Sequence, residues 1–394
     1  MDLKEESLEL HKVNKGKLEI KSKVKIETMH DLSLAYTPGV AYACKEIEKN
    51  PDEAYTYTSK ANMVAVITDG SAVLGLGNIG PYGAKPVMEG KSILMKELAG
   101  VDSIPICLKT QDTEEIIKTC KLLEPTLGAI NLEDISAPRC VEIERRLIEE
   151  MDIPVFHDDQ HGTSIIVAAA FYNIKRLTKR NFEDMTVVMS GTGAAGSMIA
   201  KMLKKIGIGK IYAYDITGVI DKKKYDSYNF LIKELIDQKI YDTPLEHDNT
   251  LKSIMKGADA FIGVSAPNLV NKDMIKSMNK NPIVFAMANP TPEISYDDAN
   301  DAGAYIVGSG RSDYPNQINN VLAFPGLFKG ALEVRAKKIN EEMKLAAAKA
   351  IAYVIPENEL RTDYIVPNAF DKRVVEAVSK AVSEAAIKTN VIRK

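Results

Sequence analysis

The sequence predicts an α/β protein built as two consecutive strand-and-helix units closed by a helical segment, and three observations carry that prediction. Short apolar runs alternate with helical patterns through the first part of the chain. The alternation then restarts after one long, proline-free apolar stretch at 162–177 (GTSIIVAAAFYNIKRL), and from Gly326 onward the composition turns to Ala, Lys and Glu. Regular alternation of the two patterns is the mark of layered α/β architecture. A length of 394 residues is also more than one compact core accommodates.

In chain order, the first unit (1–161) has strand candidates at 62–69 (NMVAVITD), 103–108 (SIPICL), 128–132 (GAINL) and 153–157 (IPVFH), with helices over 114–123 and 140–151. The stretch 162–177 is expected to be a buried connecting helix. The second unit (162–330) opens with a strand at 186–190 (TVVMS), a helix, and a strand at 210–215 (KIYAYD). Later strands are expected at 258–264, 283–286 and 304–307. In the closing segment (331–394) helices are interrupted near Pro356 and Pro367. The last stretch, 371–386, places Val374, Val375, Val378, Ala381 and Val382 at helical spacing.

Composition narrows the function classes. The 51 basic and 54 acidic residues leave a net charge of −3, so there is no basic footprint for nucleic acid. No apolar run approaches the roughly 18 residues that a membrane span requires. Cys44, Cys107, Cys120 and Cys140 are scattered without a C-x-x-C pair, which argues against a zinc knuckle or a disulfide framework and fits a reducing compartment. The N-terminal stretch mixes acids and bases without an apolar core, unlike a secretory or transit peptide. The expectation is a cytoplasmic protein.

The G-x-G-x-x-G pattern occurs twice. At 75–80 (GLGNIG) it is followed by Pro81, Tyr82 and Gly83, which are expected to stop a helix from starting, so this copy reads as a tight loop with positive φ angles. At 191–196 (GTGAAG) it has a strand before it and an amphipathic helix after it, the context a dinucleotide pyrophosphate needs. Gly191, Thr192, Gly193, Ala194, Ala195 and Gly196 are therefore the candidate phosphate turn of a Rossmann-type unit. Asp215, ending the next strand, is placed to accept hydrogen bonds from the adenosine ribose and to repel a 2′-phosphate, which favours NAD over NADP. Lys222, Lys223 and Lys224 lie within reach of that edge if the loop folds back, but a solvated charge run is the better reading.

Two acidic pairs, Glu133-Asp134 and Asp158-Asp159, follow the strands at 128–132 and 153–157. Ligands gather at the carboxyl ends of parallel strands, and hard oxygen donors select Mg²⁺ or Mn²⁺. His157 and His161 have zinc-like spacing but lack a third soft ligand, so a supporting role is expected for them.

Taken together and in order, the motifs SLAYTPGV (33–40), TDGSAVLGLGNIGPYGAKPVMEGK (68–91), NLED (131–134), FHDDQHGT (156–163), GTGAAG, ANPTPE (288–293) and NNVLAFPG (319–326) resemble those of malic enzymes of the small bacterial type. The resemblance implies an N-terminal domain of amino-acid-dehydrogenase-like character for substrate and metal, then a Rossmann-type NAD(P) domain and C-terminal helices. It implies oxidative decarboxylation of (S)-malate to pyruvate. Tyr36 would be the acid that protonates C3, and Lys91 the base at the C2 hydroxyl, tuned by Asp158. Glu133, Asp134 and Asp159 would hold Mg²⁺ or Mn²⁺, and Asn289 and Asn320 would hold substrate and nicotinamide. A lysine base needs burial or a cationic neighbour to lower its pKa. Asp158 alone raises it, so burial or the metal is expected to oppose.

The sequence departs from the larger eukaryotic branch where that branch carries an acid and an arginine after Thr-Asp-Gly. Ser71 and Ala72 stand there, so substrate carboxylate binding is expected to use Ser71 with Asn289 and Asn320. Thr217 stands where some NADP-using members have lysine. The resemblance also suggests a homodimer with active-site groups shared across subunits. The alternatives are a malolactic-type enzyme releasing lactate, a related amino-acid dehydrogenase, and a non-catalytic dinucleotide sensor on the same fold.

Overall fold

Burial on both faces shapes the first sheet. Val64, Ala65, Val66 and Ile67 of β1 (Met63–Thr68) are wholly enclosed, the continuous apolar run of a parallel strand covered by helices on either side. In the computed structural model, which describes residues 2–73 and 75–393, β1 pairs in parallel with β2 (Asp102–Cys107) and β3 (Ala129–Leu132), and β3 with β4 (Val155–His157). The order is β2-β1-β3-β4.

Ahead of β1 lie α1 (Leu3–Asn14), α2 (Met29–Ala35), α3 (Val40–Lys49) and the short α4 (Ala54–Tyr57). None of α1 to α3 buries a residue, although Leu3, Leu8, Met29, Leu34, Tyr36 and Tyr42 all lie on this arm more than half exposed. The crossovers of the first sheet are α5 (Gly80–Ala99), α6 (Thr113–Leu123) and α7 (Arg139–Glu150).

Two helix starts differ from the sequence reading. Residues 81–83 do not block a helix: α5 begins at Gly80 with Pro81 in its first turn. Proline's fixed φ suits that position and its missing N–H costs nothing there. The preceding glycines still form a tight loop, with Gly75 at φ 75° and Gly77 at 72°. The connecting helix α8 (Asp158–Thr178) starts four residues before 162, so Asp158 and Asp159 belong to its first turn rather than to a loop. Acidic side chains there are favoured by the helix dipole.

α8 carries the chain into a second sheet. Its members are β5 (Thr186–Ser190), β6 (Lys210–Asp215), β7 (Gly218–Val219), β8 (Ala260–Gly263), β9 (Ile283–Ala286) and β10 (Ile306–Ser309), in the order β10-β9-β8-β5-β6-β7. Its pairings are parallel except for the β6–β7 edge hairpin. The helices α9 (Ala194–Lys205), α10 (Phe230–Asp237), α11 (Leu251–Met255), α12 (Lys272–Lys276) and α13 (Tyr296–Asp301) connect them. Strand order reverses between β5 and β8, which opens a crevice at their carboxyl ends. This is the Rossmann-type sheet that the glycine motif predicts.

The closing helices, α14 (Phe324–Glu333), α15 (Glu341–Tyr353) and α16 (Lys372–Lys388), pack back against earlier elements: α14 on α5 and α16, and α15 on α8. Glycine makes this approach possible, since a Cβ at Gly330 would lie 2.3 Å from the Ser379 carbonyl oxygen. One apolar core runs through both sheets and these helices.

Candidate active site

A cleft of about 730 Å³ lies between the two sheets, lined by Asp134, Asp159, Ala194, Ala195, Asn289 and Asn320 among others. The glycine turn and the acids therefore face the same space.

On the dinucleotide side, Gly191 follows β5 at φ 104°, and a Cβ at Gly196 would fall 2.0 Å from the Gly191 carbonyl oxygen. Gly193, the N-cap of α9, has nothing within 4 Å of a would-be Cβ. The turn is thus closed behind and open in front, as a pyrophosphate at a helix N-terminus requires. Asp215 ends β6, where its Oδ2 accepts from Thr192 Oγ1 at 2.9 Å and its Oδ1 from the Thr217 amide and hydroxyl, each at 2.7 Å. A carboxylate has about four acceptor sites, so Oδ2 keeps capacity for a ribose hydroxyl. Of the three lysines, Lys224 donates to Asn249 Oδ1 at 2.7 Å.

On the other side, carboxylate oxygens of Glu133, Asp134 and Asp159 lie within 4.8 Å of one another. Asn131 Nδ2 donates to Glu133 Oε2 at 2.8 Å, and the Asp134 amide donates to Asp159 Oδ2 at 2.8 Å. Asp134 holds φ at 54°, a conformation that costs energy for a non-glycine residue and recurs at functional sites. Beneath these acids, the enclosed Lys91 Nζ lies 2.5 Å from Asp158 Oδ2 and 2.9 Å from Glu133 Oε1. It also sits 4.3 Å from the centre of the Phe324 ring.

Burial works against the Lys91 ammonium, but Asp158 and Glu133 outweigh it and raise its pKa. Burial does not by itself free this lysine as a base, so of the two opposing influences expected, only a nearby cation remains. The Glu133 carboxyl is held well above the usual carboxylate range, first by burial and then by the neighbouring acids, with Lys91 opposing. A buried cluster whose acids repel one another is matched by an added divalent cation, and its all-oxygen donor set fits Mg²⁺ or Mn²⁺.

The remaining predicted residues divide. Asn289 and Asn320 line the cleft. Ser71 is buried beside it, but its Oγ accepts from the Ser136 amide at 2.9 Å and from Arg139 Nη2 at 3.0 Å, which ties the loop after β1 to the start of α7. Tyr36 is not brought to the cleft of its own chain: it caps the end of α2 and is 66% exposed.

Several residues at the site carried no legible signal in the sequence. Glu293 is enclosed and accepts the amides of Ser265 (2.8 Å) and Ala288 (3.1 Å), bracing two loops that line the cleft. A Cβ at Gly162 would lie 2.2 Å from Asp158 Oδ1, so the helix turn that holds Asp158 needs glycine there. Glu293 and Gly162 both lie inside recognised motifs, which was the available hint. Glu144, described below, lies in none.

Comparison with known proteins gives the family and the fold. The family model described as "Malic enzyme, N-terminal domain" matches residues 15–148, and "Malic enzyme, NAD binding domain" matches residues 160–391. The chain is 54% identical to the bifunctional malic/malolactic enzyme of Bacillus subtilis (strain 168), over 100% of this chain and 95% of that protein. It is 53% identical to the NAD-dependent malic enzyme of Geobacillus stearothermophilus, covering 96% and 78% of the two chains. Among solved structures, the NAD-dependent malic enzyme of Thermotoga maritima superposes with a TM-score of 0.91 at 47% identity, covering 96% of this chain and 98% of that one.

Proposed function

The chain belongs to the malic enzyme family, and we propose that its cleft converts (S)-malate to pyruvate and CO₂ with reduction of NAD, NADP being the weaker alternative. One observation carries the reading: Asp134 and Asp159, above the Lys91–Asp158 pair, line the same cavity as the glycine turn and Asn289. Hydride acceptor, cation and proton-transfer groups thus meet around one small substrate.

When bound, NAD accepts the hydride and Mg²⁺ or Mn²⁺, held by Glu133, Asp134 and Asp159, supplies the charge that favours loss of CO₂. Lys91 takes the proton of the C2 hydroxyl, and Asp158 holds the lysine in place and receives it back as ammonium. Asn289 and Asn320 orient substrate and nicotinamide amide, while Ser71 shapes the loop that closes the carboxylate end. Gly191 to Gly196 cradle the pyrophosphate, and Asp215 takes the ribose. Residues 1–161 serve substrate and metal, 162–330 the dinucleotide, and 331–394 close the two together.

Tyr36 completes the set by returning a proton to carbon, and it does so in a homodimer. The unburied arm around it supports this reading, because a second copy covers its apolar side chains and receives Tyr36 in its cleft. The described helices include none long and apolar enough to cross a membrane, and the four cysteines are free. Both features support a cytoplasmic location.

The test is formation of reduced nicotinamide from (S)-malate with Mn²⁺, run with NAD and NADP in parallel and with pyruvate measured. Pyruvate matching cofactor reduction and abolished by a chelator is expected. The name of the Bacillus subtilis relative favours a second product as well, so lactate is assayed in the same mixture. Lactate without net cofactor reduction would replace the first reading by a malolactic one.

A further inference from the structure

We infer that Glu144 is a positioning residue that sets the catalytic turn at the start of α8, an assignment that rests on the malate reading above. Glu144 lies on α7 and is only 4% exposed. Its Oε1 accepts the backbone amide of His157 at 2.7 Å, and its Oε2 lies 3.0 Å from His161 Nε2. These two bonds fall on either side of Asp158 and Asp159, gripping the residue before the acids and the second residue after them. α8 has no side-chain cap of its own at His157, so this carboxylate fixes where the helix begins.

The grip has a defined direction. His161 Nδ1 lies 3.2 Å from Lys344 Nζ. An ammonium only donates, so Nδ1 accepts, and Nε2 carries the hydrogen that goes to Glu144. Lys344 also pairs with Glu341, which Lys205 holds from α9 at 2.8 Å. A chain of charge-assisted bonds thus runs from the dinucleotide sheet's first helix, through α15, to the turn that bears Asp158 and Asp159. Outer partners of this kind orient metal-binding and proton-transfer groups, and losing one typically costs about 10–100-fold in metal affinity or activity.

Glu144→Gln keeps the volume and an acceptor for the His157 amide but removes the charge and the second acceptor. Mn²⁺ binding to the protein without substrate, followed by electron paramagnetic resonance, is expected to weaken by about tenfold or more. Turnover of malate should fall in parallel, while NAD affinity and the far-ultraviolet circular dichroism spectrum stay as in the wild type. Lys344→Gln, at the outer end of the chain, should shift Mn²⁺ affinity in the same direction by a smaller factor. A folded Glu144→Gln protein whose Mn²⁺ affinity lies within twofold of wild type overturns the assignment. If that variant does not fold, Lys344→Gln decides, and wild-type Mn²⁺ affinity there overturns it equally. A wild-type protein that binds no Mn²⁺ is a separate failure, of the metal reading itself, and takes this inference with it.

Discussion

Lys91 Nζ lies 2.5 Å from Asp158 Oδ2 with both side chains enclosed, so each charge depends on the other. Breaking a buried pair by removing one partner costs roughly 3–5 kcal/mol, because the remaining charge is left unmatched. Lys91→Met is expected to lose about that much stability in chelator. Malate turnover should fall by at least ~10², the usual contribution of a general base. Denaturant titration and reduced-nicotinamide formation check the two effects, and a stable, active variant would place the base elsewhere.

The cluster of Glu133, Asp134 and Asp159 makes the apo protein sensitive to cation. Mn²⁺ is expected to raise the melting temperature, with a stabilisation of about 2.7 kcal/mol at a hundred times its dissociation constant. Asp159→Asn should abolish most of that shift together with activity. Scanning calorimetry with and without chelator is the measurement, and an unchanged shift in the variant would remove Asp159 from the ligand set.

Asp215 governs the choice of dinucleotide through its remaining acceptor capacity at Oδ2. A hydrogen bond to a charged group contributes about 1.5–3 kcal/mol. Asp215→Ser should therefore weaken NAD roughly ten- to hundredfold and lower the NAD-to-NADP ratio of kcat/KM by at least as much. An unchanged ratio would mean that the ribose is read elsewhere.

Acid lability has an identifiable contributor in Glu234, which ties α7 to the second sheet. Burial raises its pKa, but bonds from Arg145 and Lys201 outweigh this and hold it at about 2. A carboxylate whose folded pKa is depressed adds stability above its unfolded value near 4.5, and that stability is lost as pH falls towards 2. Glu234→Gln should be less stable at neutral pH and should lose less stability than wild type on acidification through that window. Parallel acid-dependent curves for the two proteins would contradict this.

Mixing inactive proteins tests the shared site. If Tyr36 works in its partner's cleft, Tyr36→Phe and Lys91→Met homodimers that are unfolded and refolded together should regain activity, because each heterodimer contains one intact site. Recovery close to a quarter of wild type is expected for random reassortment; no recovery would confine each site to a single chain.

Much of this fold was legible because its strands are short apolar runs flanked by punctuating residues. The boundaries of 186–190 and 283–286 coincide with β5 and β9. Helix starts were harder to read. Pro81 looked like a breaker, yet it is a good first-turn residue, and Asp158-Asp159 were read only as acids after a strand, although acids favour a first turn and Glu144 holds the entry from α7. The acids, the lysine and the glycine turn were named from motifs that the fold brings to one cleft. Contacts between elements, such as Glu144 of α7 with the His157 amide at the start of α8, join residues that share no motif or periodicity.

α8 is a single helix of 21 residues, so its length is about 31 Å. It begins at the acids, packs along α15, and ends in a partly exposed last turn. Mechanically it is a lever: a tilt of about one degree about its middle swings the carboxylates by roughly 0.3 Å, a part of the 1 Å misplacement that can cost about 10²-fold in rate. The small side chains Ala168, Ala169 and Ala170 on its enclosed middle turn act as the fulcrum. Enlarging them in search of thermostability would be read out as lost turnover before it was read out as a change in melting.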